Sequence, residues 1–247
     1  MKSSIFLVLL ACGLTSGKLH LADFTQLCDL TKPNLNACVV NSANNLIPVL
    51  VKGIKDLNFP PLDPLRIPEM KVDQSNAPIS IRLKLLDTIH TGLGTMKFHA
   101  ASIDLDKNRW ILNATLPNYA LFGRYMANGR IILLPIIGDG HANFTLTNTK
   151  VDFIMQGHAK KEDDLLVHHL SNLKVIFGFD KCFISMTNLF GGNKQLSETV
   201  DQFIRTNSRE VFEGLKVSLE KVYSSIYLNL IRRLVSNVPV SSIFITP

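Results

Sequence analysis

Among the residues of this chain that could take part in nucleophilic, acid–base or metal chemistry are seven histidines and four cysteines, spread over 247 residues. His168 and His169 are adjacent, so on a strand their side chains would lie on opposite faces and could not bind one metal ion together. His99 and His158 each stand alone on segments with strand character. The spacing of these residues therefore predicts no metal site.

The motifs that mark catalytic sites are also missing. The chain has no G-x-S-x-G, no H-E-x-x-H, no phosphate-binding loop and no EF-hand loop. Gly138-Asp139-Gly140 lacks the third glycine of a dinucleotide-binding loop, and the glycines at 191–192 fit a turn before a helix. We therefore expect a protein that is not an enzyme and that needs no cofactor.

The first 17 residues have the pattern of a cleaved secretory signal. Lys2 supplies the positive start, residues 5–14 form an apolar run too short to span a bilayer, and residues 15–17 are small. The mature chain, residues 18–247, is then secreted into the extracellular space.

The cysteines fit an exported protein. Cys12 leaves with the signal, and Cys28 and Cys38 bracket a polar loop, so in an oxidising compartment they are expected to form a disulfide. Cys182 remains without a partner, and we interpret it as a buried, inert thiol.

Two N-glycosylation sequons, Asn113-Ala-Thr and Asn143-Phe-Thr, also suit a secreted protein, and each acceptor would have to face solvent. Strand alternation would then turn the bulky neighbours of these asparagines inward. Those neighbours are Trp110, Leu112, Phe144 and Leu146.

Composition limits the class of partner. The formal charge is +6, or +5 once Lys2 is removed, but the basic residues are scattered and form no patch, which argues against nucleic acid. The hydrophobic content of 46% is ample for a core, and no linker-like stretch divides the chain. Residues 18–247 are therefore expected to form one domain.

Hydrophobic periodicity of two predicts a sheet between residues 79 and 186. The expected strands include residues 109–116, 129–137, 143–156 and 165–179. Many exceed the usual length of about five or six residues, which favours a strongly curved antiparallel sheet.

Periodicity of three and four predicts helices on both sides of the sheet region. Residues 36–57 form an amphipathic helix with Pro48 inside it, and a short helix at 196–204 precedes a longer one at 208–237. The last helix carries an apolar stripe that only the sheet is large enough to cover. Between helix and sheet there is either a filled core or a hydrophobic tunnel, and periodicity alone does not decide between them.

Four features in sequence order resemble the insect juvenile-hormone-binding protein family, and within it the takeout-like branch. They are the cysteine pair, the string F-P-P-L-D-P-L-R at 59–66, the string G-R-I-I-L-L-P-I-I-G-D-G at 129–140, and N-L-F-G-G-N-K-Q-L at 188–196. Together they span nearly the whole mature chain. Many hormone carriers of the family have a second disulfide, which Cys182 alone cannot form, and this departure favours the takeout-like branch.

The resemblance implies an α+β fold in which a strongly curved antiparallel sheet wraps a long C-terminal α-helix around an internal hydrophobic tunnel. It also implies a monomeric haemolymph carrier that binds a terpenoid or fatty-acyl ligand, with juvenile hormone as one candidate. It does not identify ligand contacts, so the candidate lining comes from the apolar pattern. The candidates are Trp110, Leu112, Phe144 and Leu146 on the sheet and Val211, Leu215, Leu219, Ile226 and Leu230 on the helix.

Two other functions remain open at this point. A surface-acting protein could dock transiently on membranes through its positive charge and an exposed apolar tip. A hydrolase of lipophilic esters would need a nucleophile, and no motif for one is found.

Overall fold

The alternating apolar residues in the middle of the chain form an antiparallel sheet in the computed structural model, which describes residues 25–75, 79–131, 134–162, 165–236 and 238–245. The predicted signal peptide, residues 1–17, lies outside the described residues. The strands of the described chain are β1 Cys28–Asp29, β2 Leu65–Gln74, β3 Ile79–Thr91, β4 Lys97–Asp104, β5 Arg109–Ile131, β6 Leu134–Glu162, β7 Leu165–Gly178, β8 Lys181–Met186 and β9 Phe244–Ile245. Its α-helices are α1 Leu35–Lys52, α2 Lys194–Thr206 and α3 Ser208–Val235.

The main sheet runs in the order β2-β3-β5-β6-β7, and all neighbouring strands are antiparallel. β4 pairs with the first part of β5, and β8 pairs with the middle of β6. The structure confirms the predicted class, a curved antiparallel sheet around a long C-terminal helix. The strand predicted at 129–137 is wrong, because the chain reverses between Ile131 and Leu134, which are partners in the β5–β6 ladder.

The first helix is shorter than predicted. It ends at Lys52 rather than residue 57, because Gly53 takes a positive φ of 78° and the chain then turns back over it. A side chain at position 53 would meet the backbone of Phe59 and Pro61, so glycine is required there. The short helix expected at 196–204 is α2, and Asn193 caps it by accepting a hydrogen bond from the Leu196 N–H at 3.1 Å.

The string P-L-D-P-L has a structural role. The Asp63 carboxylate accepts hydrogen bonds from the backbone N–H of Gly92 at 3.1 Å and of Gly94 at 2.8 Å. These contacts hold the turn between β3 and β4 against the segment that follows α1. Gly92 has a φ of 91°, and a Cβ there would overlap the Asn118 carbonyl, so the turn depends on glycine.

Part of the way along the long strands, the set of alternate residues that points into the protein changes. On β6, Leu146 is buried, and the next buried residues are Thr149 and Val151, because Asn148 adopts a left-handed φ of 47°. Pro117 on β5 lies opposite Asn148. These two residues do not pair in the β5–β6 ladder, but the pairs on either side of them keep the same register. Since proline has no N–H, this skip leaves no donor unpaired on β5.

A similar change occurs on β3. Leu85 is buried, Asp87 takes a φ of 48°, and Thr88 and His90 are then the inward residues. The ladder to β5 is bulged between Leu86 and Ile89 at this point. The bulge therefore directs two polar side chains into the interior of the molecule.

Helix α3 lies across the opening between the two edges of the main sheet. On the β7 edge, the Ser224 Oγ accepts a hydrogen bond from the Val175 N–H at 2.8 Å, and a Glu220 carboxylate oxygen accepts one from the Phe177 N–H at 3.2 Å. On the β2 edge, the Ser218 hydroxyl donates to the Asp73 carbonyl at 3.0 Å. The helix thus satisfies backbone groups that an open sheet would leave unpaired.

Helix α1 covers the edge of β4 in the same way. The Asn44 side chain donates to the Phe98 carbonyl at 3.0 Å and accepts from the Phe98 N–H at 2.8 Å, as a neighbouring strand would. The Asn36 side chain accepts from the Ile103 N–H at 3.1 Å.

We predict that Asn44→Ala lowers the free energy of unfolding by about 1–3 kcal/mol, because two backbone groups of Phe98 lose their partner. The matched control is Asn45→Ala, at the next position of α1, where the side chain is exposed. Both changes alter helix propensity equally. Urea denaturation of the two variants measures the difference, and equal stabilities would contradict this role for Asn44.

Candidate functional site

A cavity lies between α3 and the concave face of the sheet. Its wall consists of residues from β3, β5, β6, β7, β8, α3 and the turn before β4. Sixteen of the twenty lining side chains are Leu, Val, Ile, Phe or Met, and the other four are Thr149, Tyr119, Tyr223 and Tyr227. The wall contains no charged side chain. Such a space suits an apolar molecule with few polar groups.

Four of the nine residues that the sequence proposed as lining lie in this wall: Phe144, Leu146, Leu215 and Leu219. They come from β6 and from successive turns of α3, so the fold brings them together from segments about 70 residues apart in the chain. Contact of these side chains with a ligand remains a prediction.

The other five proposed residues lie outside the cavity wall. Trp110 packs on Phe244, with ring centroids 4.9 Å apart, at the start of β5. Leu112, Val211 and Leu230 are buried in the core, and Ile226 is half-buried against it. Helix α3 is longer than the cavity, so its apolar residues outside the cavity pack directly against their neighbours.

The sequence did not predict the tyrosines of the cavity wall. Tyr223 and Tyr227 continue the four-residue spacing of Leu215 and Leu219 along α3, whereas the sequence interpretation followed Val222 and Ile226. Strict four-residue spacing was the signal that could have found the two tyrosines. Tyr119 and Thr149 had no such signal, because they follow the face changes of β5 and β6.

A chain of buried hydrogen bonds ends at the cavity wall. The Thr88 hydroxyl lies 3.1 Å from the Ile67 carbonyl and 2.9 Å from His90 Nε2. His90 Nδ1 lies 2.6 Å from the Tyr119 hydroxyl, which lies 2.7 Å from the Tyr223 hydroxyl. This series of hydrogen bonds thus connects strand β2 to helix α3 through the interior of the protein.

The Ile67 carbonyl and the uncharged His90 ring determine where the protons lie in this series of hydrogen bonds. Burial lowers the pKa of His90 to about 4, so at neutral pH the ring is uncharged and only one of its nitrogens carries hydrogen. Thr88 has one proton, which goes to the Ile67 carbonyl, so His90 Nε2–H must donate to Thr88. Tyr119 then donates to His90 Nδ1, and Tyr223 donates to Tyr119. This assignment is the one that makes all four hydrogen bonds at once, and it leaves the Tyr223 oxygen as an acceptor.

The tyrosines of the wall are neutral at physiological pH. Burial raises the pKa of Tyr119, Tyr223 and Tyr227, that of Tyr223 to about 12. The wall also contains no serine, cysteine or carboxylate. Among the residues that line this cavity, therefore, none is an activated nucleophile of the kind that ester hydrolysis would need.

The cysteines lie apart from the cavity. Cys28 and Cys38 form the predicted disulfide, next to the β1–β9 pairing of the two ends of the described chain. Cys182 is a free, buried thiol, and burial raises its pKa to about 12, which makes it a poor nucleophile.

Among the described residues, no group of three or more His, Cys, Asp or Glu side chains could hold a metal ion. No helix in that part of the chain is long and apolar enough to cross a membrane.

The two sequons differ in their surroundings. Asn143 is exposed on the convex face of β6. Asn113 is half-buried, and its amide donates to the Asp152 carboxylate at 2.7 Å.

Comparison with known proteins places residues 5–245 within the family model described as haemolymph juvenile hormone binding protein. The chain is 20% identical to the circadian clock-controlled protein daywake of Drosophila yakuba, over 98% of both chains. It is 22% identical to a protein of Schistocerca gregaria named "Putative beta-carotene-binding protein", over 89% of this chain and 87% of that one. The crystal structure of Epiphyas postvittana Takeout 1 superposes with a TM-score of 0.77 at 25% identity, covering 88% of this chain and 98% of that one.

The buried His90 predicts a dependence of stability on pH. In the unfolded chain the ring takes up a proton near pH 6.5, whereas in the folded protein it stays neutral down to about pH 4. The stability that the neutral ring contributes is therefore complete above pH 6.5 and is lost as the pH falls toward 4, by about 3 kcal/mol.

Urea denaturation at several pH values checks this dependence in the protein and in His90→Gln. We expect the variant to lose less stability between pH 6.5 and 4. Burial also lowers the pKa of His168, so a smaller slope of the same sign remains in both proteins. Equal slopes would show that His90 is not the group that titrates.

Proposed function

The chain belongs to the haemolymph juvenile hormone binding protein family, and we propose that it is a secreted carrier that encloses a small hydrophobic ligand of terpenoid or fatty-acyl type. The single observation that carries this proposal is the apolar cavity between α3 and the sheet. Its lining of apolar side chains with few polar groups is the composition that is usual for small-molecule sites.

Binding in such a cavity depends mainly on removing apolar surface from water, at about 25 cal/mol per Å². A lipophile enclosed by leucine, valine and phenylalanine side chains loses its contact with water while the protein gains contacts in an unfilled space. The name of the Schistocerca gregaria relative, which refers to β-carotene, supports a lipophilic ligand. Juvenile hormone is one candidate within the terpenoid class.

Export and domain organisation are part of the same proposal. The predicted signal at residues 1–17 would deliver residues 18–247 to the haemolymph as a single monomeric domain. The Cys28–Cys38 disulfide supports this location, since disulfides persist in oxidising compartments.

A second candidate function is docking on a lipid surface, and one observation favours it. The convex face carries four exposed apolar side chains, Phe122, Met126, Ile137 and Phe183, which we call the outer apolar patch. Arg124 lies among them on the same face of β5, where the Asp139 carboxylate pairs with its guanidinium at 2.8 Å. Exposed apolar side chains gathered on one face are a feature of interaction surfaces.

The position of Asn143 argues against membrane docking through this patch. Asn143 pairs with Phe122 on β5 and with Ser185 on β8, and the sequon residue Thr145 pairs with Phe183. A glycan on Asn143 would stand among the exposed phenylalanines and hold a membrane away from them.

We predict that Leu219→Trp lowers the affinity for an enclosed lipophile at least about tenfold, because the larger ring occupies cavity space. The matched control is Val217→Trp on the outer face of α3, where the side chain is 62% exposed. Displacement of the fluorescent lipophile N-phenyl-1-naphthylamine by farnesol measures the affinity. Thermal unfolding shows whether each variant folds. Equal affinities in the two variants would mean that ligands bind elsewhere.

We also predict that the secreted protein carries an N-glycan on Asn143. Intact-mass measurement before and after glycosidase treatment should show the loss of a glycan. Asn143→Gln and Thr145→Ala should both abolish this mass difference at Asn143, because each removes the sequon. An unmodified Asn143 in secreted protein would leave the outer apolar patch uncovered and favour the docking function.

A further inference from the structure

Thr149 has the one buried side-chain hydroxyl for which the described residues provide no hydrogen-bond partner. The residue is 4% exposed and lies in the wall of the cavity. Buried hydroxyls are normally paired, because an unpaired one loses its hydrogen bonds to water and gains none in return. A valine at this position would have nearly the same shape without that loss. The hydroxyl therefore requires an explanation.

The backbone beside Thr149 is arranged so that this side chain points inward. Unbroken alternation after Leu146 would turn Asn148 toward the cavity, but the left-handed conformation of Asn148 shifts the inward position to Thr149. The Asn148 amide instead donates to the Asp180 carboxylate at 2.9 Å, outside the cavity. Asparagine adopts the left-handed conformation more readily than other non-glycine residues, so position 148 can make this change of direction.

The site also lies where β6 changes partners. Pairing with β7 ends at Lys150, and pairing with β8 begins at Thr147. Thr149 therefore lies in the gap between the two ladders, opposite Leu116 on β5.

We propose that Thr149 determines ligand specificity by hydrogen bonding to a neutral oxygen function of the bound lipophile, such as an alcohol, ester or ether. This inference rests on the proposed carrier function and narrows its ligand class. A pure hydrocarbon would leave the Thr149 hydroxyl unpaired in the complex as well. An oxygen atom placed beside it would satisfy the hydroxyl and be satisfied by it.

The rest of the wall restricts the oxygen function to an uncharged one. No lysine or arginine lines the cavity, so a carboxylate would be buried without a counter-charge. The Tyr223 oxygen ends the hydrogen-bond series from Thr88 as an acceptor, so this group of the wall also favours a neutral donor such as an alcohol. The ligand class is thus a neutral oxygenated lipophile rather than a hydrocarbon or a fatty-acid anion.

Three compounds with one carbon skeleton test the proposal: farnesol, farnesene and farnesoate at pH 8. Each competes with N-phenyl-1-naphthylamine for the wild-type protein and for Thr149→Val. We expect wild-type protein to bind farnesol more tightly than farnesene or farnesoate. Thr149→Val should lower farnesol affinity about fivefold, the effect of one hydrogen bond, and leave farnesene affinity unchanged. Thr149→Ser, which keeps the hydroxyl, should bind farnesol as the wild type does.

Two further measurements distinguish an effect of Thr149 on ligand specificity from an effect on the folded structure. Without ligand, Thr149→Val should have a higher Tm than the wild type, because the unpaired hydroxyl is gone. Val151→Ala, two residues along the same strand and also in the wall, should weaken farnesol and farnesene binding by equal factors. A variant that gains stability while losing selectivity for farnesol is the signature of a specificity residue.

The results separate a failure of the proposed role of Thr149 from a failure of the carrier function. If Thr149→Val binds farnesol and farnesene as the wild type does, the role of Thr149 is overturned and the carrier function stands. If the wild-type protein binds none of the three compounds, the carrier function itself fails, and the specificity role fails with it.

Discussion

The structure depends on how the two edges of a curved, unclosed sheet are satisfied. The backbone groups at the edges of β2 and β7 would be unpaired if nothing covered them, and the concave face between them is apolar. Helix α3 meets both needs, since its leucines cover the concave face while Ser218, Glu220 and Ser224 bond to the strand edges. Helix α3 spans the concave face without filling all the space beneath it. The unfilled space between them becomes the cavity.

The polar groups of the cavity arise from the same curvature. Strands β3 and β6 follow the curve with one left-handed residue each, Asp87 and Asn148, and each of these residues moves the next side chains to the other face. Thr149 and His90 point inward for this reason. The membrane-docking alternative rests on the outer patch around Phe122, whereas the hydrolase alternative finds no activated nucleophile in the cavity wall.

Much of this fold follows from periodicity, but the details of the cavity do not. The long apolar stripe of α3 and the alternation of β3 predicted a helix covered by a sheet, and the family strings identified which fold this is. Those strings proved structural, as Asp63 and Gly92 show by holding a turn. The alternation of inward and outward side chains is interrupted at Asn148 and Asp87, because a single left-handed residue moves the side chains that follow it to the opposite face of the strand. Thr149 therefore could not be assigned to the cavity from sequence, nor could Tyr119, which follows the face change at Pro117. Leu112 and Trp110 lie in the first part of β5, outside the cavity wall.

A lipophile held in the space beneath α3 can be detected by native mass spectrometry of the protein purified from its own tissue. We expect a complex of one protein chain with one small molecule, which organic extraction releases as a neutral lipophile. A protein that carries no small molecule, and takes up none when lipophiles are offered, would contradict the carrier function.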